Sequence, residues 1–212
     1  MSQEIILPNV RIAFSRNLKT PGAQKKDDGT PGIPKYSCVF LVDGTDMDTV
    51  GKLKAAIVAA AKEKWPGDYQ KLLPMLRDQK RLCYSEGPHY AKDGSPRQGW
   101  EGCVSVSSSR YADRGRPGLF DNVAGPDGRP VDLGEDMNGR IYAGCYVNAK
   151  VNIYAWDHPK FGRRVMAELL AVQYHAEGDA FSGASVPSSD GFEAVGKAPA
   201  GAASFEDDDI TF

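Results

Sequence analysis

Residues 141–156 read Ile-Tyr-Ala-Gly-Cys-Tyr-Val-Asn-Ala-Lys-Val-Asn-Ile-Tyr-Ala-Trp. Every second residue from Ile141 is apolar: Ala143, Cys145, Val147, Ala149, Val151, Ile153 and Ala155. The interleaved set is Tyr142, Gly144, Tyr146, Asn148, Lys150, Asn152, Tyr154 and Trp156. Side chains alternate across a strand, so the spacing predicts one long strand with two unlike faces. One face builds a core. The other carries rings, amides and a cation, where a plain solvated strand would carry Lys, Glu and Thr. Unpaired bases stack on aromatic rings, cations neutralise phosphates, and amides bond base edges. A bulge at Gly144 would shift the phase before it but leave Lys150, Tyr154 and Trp156 in place.

Working outward, 163–175 is a second strong strand, joined to the first by a hairpin-like connection over 157–162. Glu4 to Phe14 reads as a strand interrupted by Pro8, Tyr36 to Val42 as another, and Gly102 to Ser109 as a third. Thr45 or Asp46 caps a helix that runs to about Trp65, with Val50, Leu53, Ile57 and Ala61 as its core stripe. A shorter amphipathic piece follows over Tyr69 to Lys80, and 81–135 reads as largely irregular. The pattern predicts a mainly β protein, a twisted antiparallel sheet with one long helix and long loops. Residues 1–182 form the expected folded domain. The Gly, Ala, Ser and Pro-rich stretch after it predicts a disordered linker, so 183–212 reads as linker plus acidic tip.

The chain has 212 residues, 41% hydrophobic and 25% charged, which suits one globular domain with a tail. No apolar run approaches the roughly 18 residues of a membrane span, and Met1-Ser2-Gln3-Glu4 shows no signal segment, so neither a membrane nor secretion is expected. The net charge of −2 hides an acidic tail, where Asp190, Glu193, Glu206, Asp207, Asp208 and Asp209 face Lys197 alone, on a mildly basic body. Cys38, Cys83, Cys103 and Cys145 form no CxxC pair and read as reduced, buried thiols; His89, His158 and His175 lack metal spacing. Gly191 to Ala198 imitates a phosphate loop, but Ala198 stands where Ser or Thr would hold magnesium, and Pro199 interrupts the helix that should follow. Asp43, Asp46 and Asp48 cluster at a helix start, and Glu168 is the exceptional acid on the strong strands. Neither catalysis, nor a cofactor, nor a metal is expected.

Basic and aromatic residues elsewhere extend the candidate surface. Arg16, Lys19, Lys25, Lys26 and Lys35 occupy or border the first long loop. Arg110, Arg114 and Arg116 surround Tyr111, and Tyr90 and Trp100 stand among Lys92, Arg97 and several glycines. The candidate single-strand-binding residues are therefore Arg16, Lys19, Lys35, Tyr90, Trp100, Arg110, Tyr111, Arg114, Tyr146, Asn148, Lys150, Asn152, Tyr154 and Trp156.

The chain closes on Asp207-Asp208-Asp209-Ile210-Thr211-Phe212. This resembles the acidic tip of bacterial single-stranded-DNA-binding proteins, with Thr211 in place of a proline. The body, most clearly Tyr142 to Ala149 and the hairpin after it, resembles a phage family of single-stranded-DNA-binding proteins once filed as a domain of unknown function. That resemblance implies an OB-type antiparallel barrel that coats single strands without sequence preference. It also implies work in phage DNA replication, recombination and repair in the cytoplasm of an infected bacterium. Asp207, Asp208, Asp209, Ile210 and Phe212 would dock replication or recombination proteins, the apolar groups filling a pocket and basic residues holding the acids. The alternatives are a strand-annealing or RNA-binding protein and, further off, a metal-dependent nuclease.

Overall fold

The computed structural model describes residues 3–24, 29–134, 137–159 and 162–181. The linker and tip expected over 183–212, and Lys25 and Lys26, lie outside the described residues. Among the described residues eight strands run in the order β1 (Gln3–Ala13), β2 (Lys35–Asp43), β3 (Tyr84–Ser85), β4 (Cys103–Tyr111), β5 (Gly118–Ala124), β6 (Pro130–Asp132), β7 (Tyr146–His158) and β8 (Gly162–Ala176). The α-helices among the described residues are α1 (Arg16–Lys19), α2 (Met47–Lys64) and α3 (Tyr69–Asp78).

Five of the strands close on themselves. β1 pairs antiparallel with β2, and β2 with β4 over its full length. β4 meets β8 in parallel at Ser108–Ala167 and Ser109–Glu168. β8 pairs antiparallel with β7, and β7 returns to β1. The cycle β1-β2-β4-β8-β7 is a five-stranded barrel of the OB type, the architecture the resemblance implies. β3 pairs with β4 beyond the barrel, and β5 and β6 extend the sheet beside β8.

The barrel interior is the apolar face read from the sequence. Val147, Ala149, Val151 and Ile153 are fully buried, with Leu7, Phe40, Val106, Val165 and Leu169 around them. Each large aliphatic removed from water contributes about 1.5–3 kcal/mol, so this one face of β7 is a principal source of stability. Helix α2 begins where Asp46 accepts a bond from the Thr49 amide at 3.0 Å. Its stripe of Val50, Leu53, Ile57 and Ala61 is buried in the same core. At its end Trp65 is buried and donates through Nε1 to Asp157 at 3.1 Å, tying the helix to the far end of β7.

Three expectations need correction. The strand does not begin at Ile141: residues 142–145 form a turn closed by Cys145 N–H to the Tyr142 carbonyl, and β7 starts at Tyr146. Gly144 adopts φ +117° there, and any Cβ on it would collide with the Asp179 carbonyl. The alternation continued through the turn because Ile141 and Cys145 are still buried. The region 81–135 is less irregular than its composition suggested, since it holds β5 and β6; the mixed Gly-Leu-Phe-Asp-Asn-Val run of β5 pairs in parallel with β8, a partner no local pattern announces. The first long loop contains the single turn α1, anchored by buried Leu18. The Pro8 interruption does appear, as a register break in β1 between Leu7 and Val10.

Candidate nucleic-acid interface

The outer face of β7 is not one continuous surface; its ends and its middle do different things. At one end β2, β4, β7 and β8 bring Lys35, Arg110, Tyr111, Arg114 and Tyr154 around a shallow cleft with Ser109, Met166 and Glu168. Residues scattered along the sequence from Lys35 to Tyr154 thus line one place. Lys35 and Tyr111 are cross-strand partners, and the ammonium stands 4.5 Å from the ring centroid. Arg110 is committed to the fold: it bonds the carbonyls of Gly115 at 3.0 Å and Arg114 at 2.8 Å and the Glu168 carboxylate at 2.9 Å. Arg114 reaches the same carboxylate oxygen at 3.1 Å but keeps a side chain 58% exposed. Burial, reinforced by the nearby Tyr111 and Glu168, holds the Tyr154 hydroxyl above its usual pKa, so the phenol stays neutral. Trp156, half-buried one pleat further on, lies across from Arg164 and edge-on to His158 at 4.7 Å. The combination of an exposed guanidinium, an ammonium and three rings suits phosphate neutralisation beside base stacking.

In the middle of the row the polar groups face sheet neighbours. Asn148 accepts from the Asn9 amide at 2.9 Å and donates to Gln173 at 3.2 Å. Lys150 pairs with Glu4 at 2.8 Å, and Asn152 keeps a buried side-chain oxygen without a partner. A nucleic acid crossing here would have to displace these bonds. At the far end Tyr146 lies under the Arg11 guanidinium at 5.7 Å.

The other candidates fall elsewhere. Arg16 and Lys19 are exposed on the one-turn α1 beside β2. Tyr90 is 56% exposed on a loop over 89–97. Trp100 corrects the expectation of an open ring: it is 8% exposed and packs with Ala13 and Leu41, its faces covered by Phe14, His89 and Phe181. A large ring near an apolar strand face gains more from burial than from waiting for a ligand. Arg11 and Phe14 were not among the candidates, and Arg97 was read only as a basic neighbour of Tyr90 and Trp100; all three surround these aromatics. Arg11 was legible as an outward residue between Val10 and Ile12; Phe14 carried no sequence signal. Among the described residues, no three His, Cys, Asp or Glu side chains converge as metal ligands, and no helix is long and apolar enough to cross a membrane.

A family model described as the ssDNA-binding protein of Enterobacter phage Enc34 matches residues 3–204. The chain belongs to this family. Protein p50 of Acyrthosiphon pisum secondary endosymbiont phage 1 is 31% identical over 196 residues, covering 90% of this chain and 92% of that one. The family's fold is shared in solved structures. The single-stranded DNA-binding protein of bacteriophage Enc34, solved in complex with ssDNA, aligns with a TM-score of 0.63 at 23% identity over 84% of this chain and 89% of that one. Bacteriophage T7 gp2.5, a single-stranded DNA-binding protein, aligns with a TM-score of 0.50 at 11% identity over 94% of this chain and all of the other.

Proposed function

We propose that this protein binds single-stranded DNA without sequence preference. The observation that carries the reading is the cleft of Lys35, Tyr111, Arg114 and Tyr154, with Trp156 beside it, on a barrel whose family is named for such binding. Stacking is sequence-tolerant because every base has a π-face, and the two cations act on the backbone that all sequences share. In this reading residues 1–182 coat and protect the strand during phage replication, recombination and repair in the host cytoplasm. Residues 183–212 recruit protein partners, with Asp207, Asp208, Asp209, Ile210 and Phe212 as the docking tip. Those residues lie outside the described part of the chain, so their role rests on the sequence alone.

A fluorescence titration with poly(dT), a matched duplex and poly(U) tests the reading. Expected is tight binding to poly(dT), with log affinity falling against log salt at a slope near −0.7 per phosphate contact. Preference for the duplex or for RNA, or a response flat in salt, overturns it. Faster pairing of complementary strands would move the assignment to annealing, and Mg²⁺-dependent cleavage of labelled oligonucleotide to a nuclease.

A further inference from the structure

A second aromatic cluster stands apart from the cleft. Its centre is Arg97, whose guanidinium lies over two adjoining rings, 5.0 Å from the Phe14 centroid and 5.2 Å from that of Trp100. Phe14 and Trp100 are themselves 5.7 Å apart and tilted by 57°. Beside them His89, Tyr90, Pro96, Arg97 and Trp100, together with the carboxylates of Glu86 and Glu101, line an open groove of about 510 Å³, and Phe14 stands at its side rather than in its lining.

The two partners of Trp100 are placed differently from Trp100 itself. Phe14 keeps half of its surface in water, although it packs on a buried ring. It does so at φ +54°, a backbone region that an aromatic residue adopts only when its surroundings force it. A ring recruited for packing would be turned inward. Asn9, Lys80 and Met137 share that backbone region, so the strain adds to the ring and cation geometry at Phe14 and does not define a site by itself. Arg97 is also held in advance. Its Nε donates to the Tyr90 carbonyl at 3.1 Å, and its amide to the His89 carbonyl at 2.8 Å. The loop beneath closes through Ala91 N–H to the Ser95 carbonyl and through the Asp93 carboxylate bonding Ser95. The Nε anchor leaves the terminal nitrogens of Arg97 to meet a phosphate. The cation is therefore preorganised, and little freedom is lost on binding.

We infer that Phe14 and Arg97, backed by Trp100, form a second single-strand subsite: a base stacks on Phe14 and its phosphate meets Arg97. The inference rests on the single-strand reading above. The two sites lie toward opposite ends of β2, the first at Lys35 and the second against Leu41. Six residues of strand separate those positions, roughly 20 Å at about 3.3 Å each. A strand must therefore exceed a threshold length before it touches both.

The experiment titrates full-length protein with a ladder of oligo(dT) from a few nucleotides to about thirty. The parent should gain affinity in a step once the strand spans both sites. Phe14→Ala with Arg97→Gln should lose that step, roughly tenfold or more on long strands, and bind the shortest oligonucleotides as the parent does. Phe14→Trp should restore the step, since it keeps a ring, and Phe14→Leu should not. A double variant matching the parent at every length overturns the inference. So does an equal loss at every length, or one accompanied by a lowered melting temperature, which would mark a packing role. If the parent itself fails to bind oligo(dT), the proposed function falls instead, and the ladder reports that directly.

Discussion

The two faces of β7 run along the same backbone and answer to different physics. Val147, Ala149, Val151 and Ile153 have no solvent exposure, and what matters for them is volume. Tyr146, Asn148, Asn152, Tyr154 and Trp156 are half-buried and Lys150 is exposed; what matters for them is which partner each finds. The inner set behaves as a unit because a barrel interior is packed to uniform density. The outer set divides into a cation-and-ring cleft at one end, bonds within the sheet in the middle, and an arginine-covered tyrosine at the other end. A pattern that looks like one feature in sequence is thus one feature on the inside and three on the outside.

Substitutions should separate the faces. The largest effect should come from within: Ile153→Ala should lower unfolding free energy by about 2–5 kcal/mol in a denaturant titration, with the affinity of the folded protein for poly(dT) unchanged. Outside, Tyr154→Ala should weaken poly(dT) binding by about 1–3 kcal/mol, with a much smaller change in the denaturation midpoint. Were Tyr154→Ala instead to melt like Ile153→Ala and bind like the parent, the outer ring would count as packing and the distinction would fail.

Smaller effects sharpen the contrast along the outer face. The Glu168 carboxylate pairs with both Arg110 and Arg114. Glu168→Gln should tighten binding at low salt and steepen the salt slope by about 0.7 if the released Arg114 neutralises one further phosphate, Arg110 staying bonded to the Gly115 and Arg114 carbonyls; weaker binding would show that the carboxylate aims Arg114 instead. Lys150→Ala should alter affinity by less than about 1 kcal/mol, because its ammonium is exposed and already paired with Glu4. Last, thiol labelling of the native protein should begin at partly exposed Cys103. Cys38, Cys83 and Cys145 are buried, and burial holds their thiols protonated, Cys83 pushed up to about 12.

Most of the fold was legible for local reasons. Helix α2 announced itself through Asp46 and a 3.6-residue apolar stripe, and the β7–β8 hairpin through two period-two runs around a turn. β5 was not legible, because its short mixed run is made a strand by pairing with β8, some fifty residues later. The candidate-site residues followed the same division. Tyr154 and Trp156 were readable from alternation. That Lys35, Tyr111, Arg114 and Tyr154 share a cleft was not, since closure of the barrel alone brings β2, β4 and β7 together there. Trp100 looked like Tyr90 in sequence; the apolar patch of Ala13 and Leu41 beneath it decided that one is buried and the other exposed.

The chain by itself determined the elements whose partners are near in sequence: the two-faced strand, its hairpin, the capped helix and the charge contrast between body and tail. Periodicity and capping are written in consecutive residues, so no tertiary contact is needed to read them. Tertiary structure decided which outward groups are available to a ligand. Availability depends on what a side chain meets from remote segments, as Glu168 meets Arg114, Glu4 meets Lys150, and Phe181 covers Trp100. The first needs the parallel contact of β4 with β8 that closes the barrel, and the second the antiparallel pairing of β1 with β7, partners far apart in sequence.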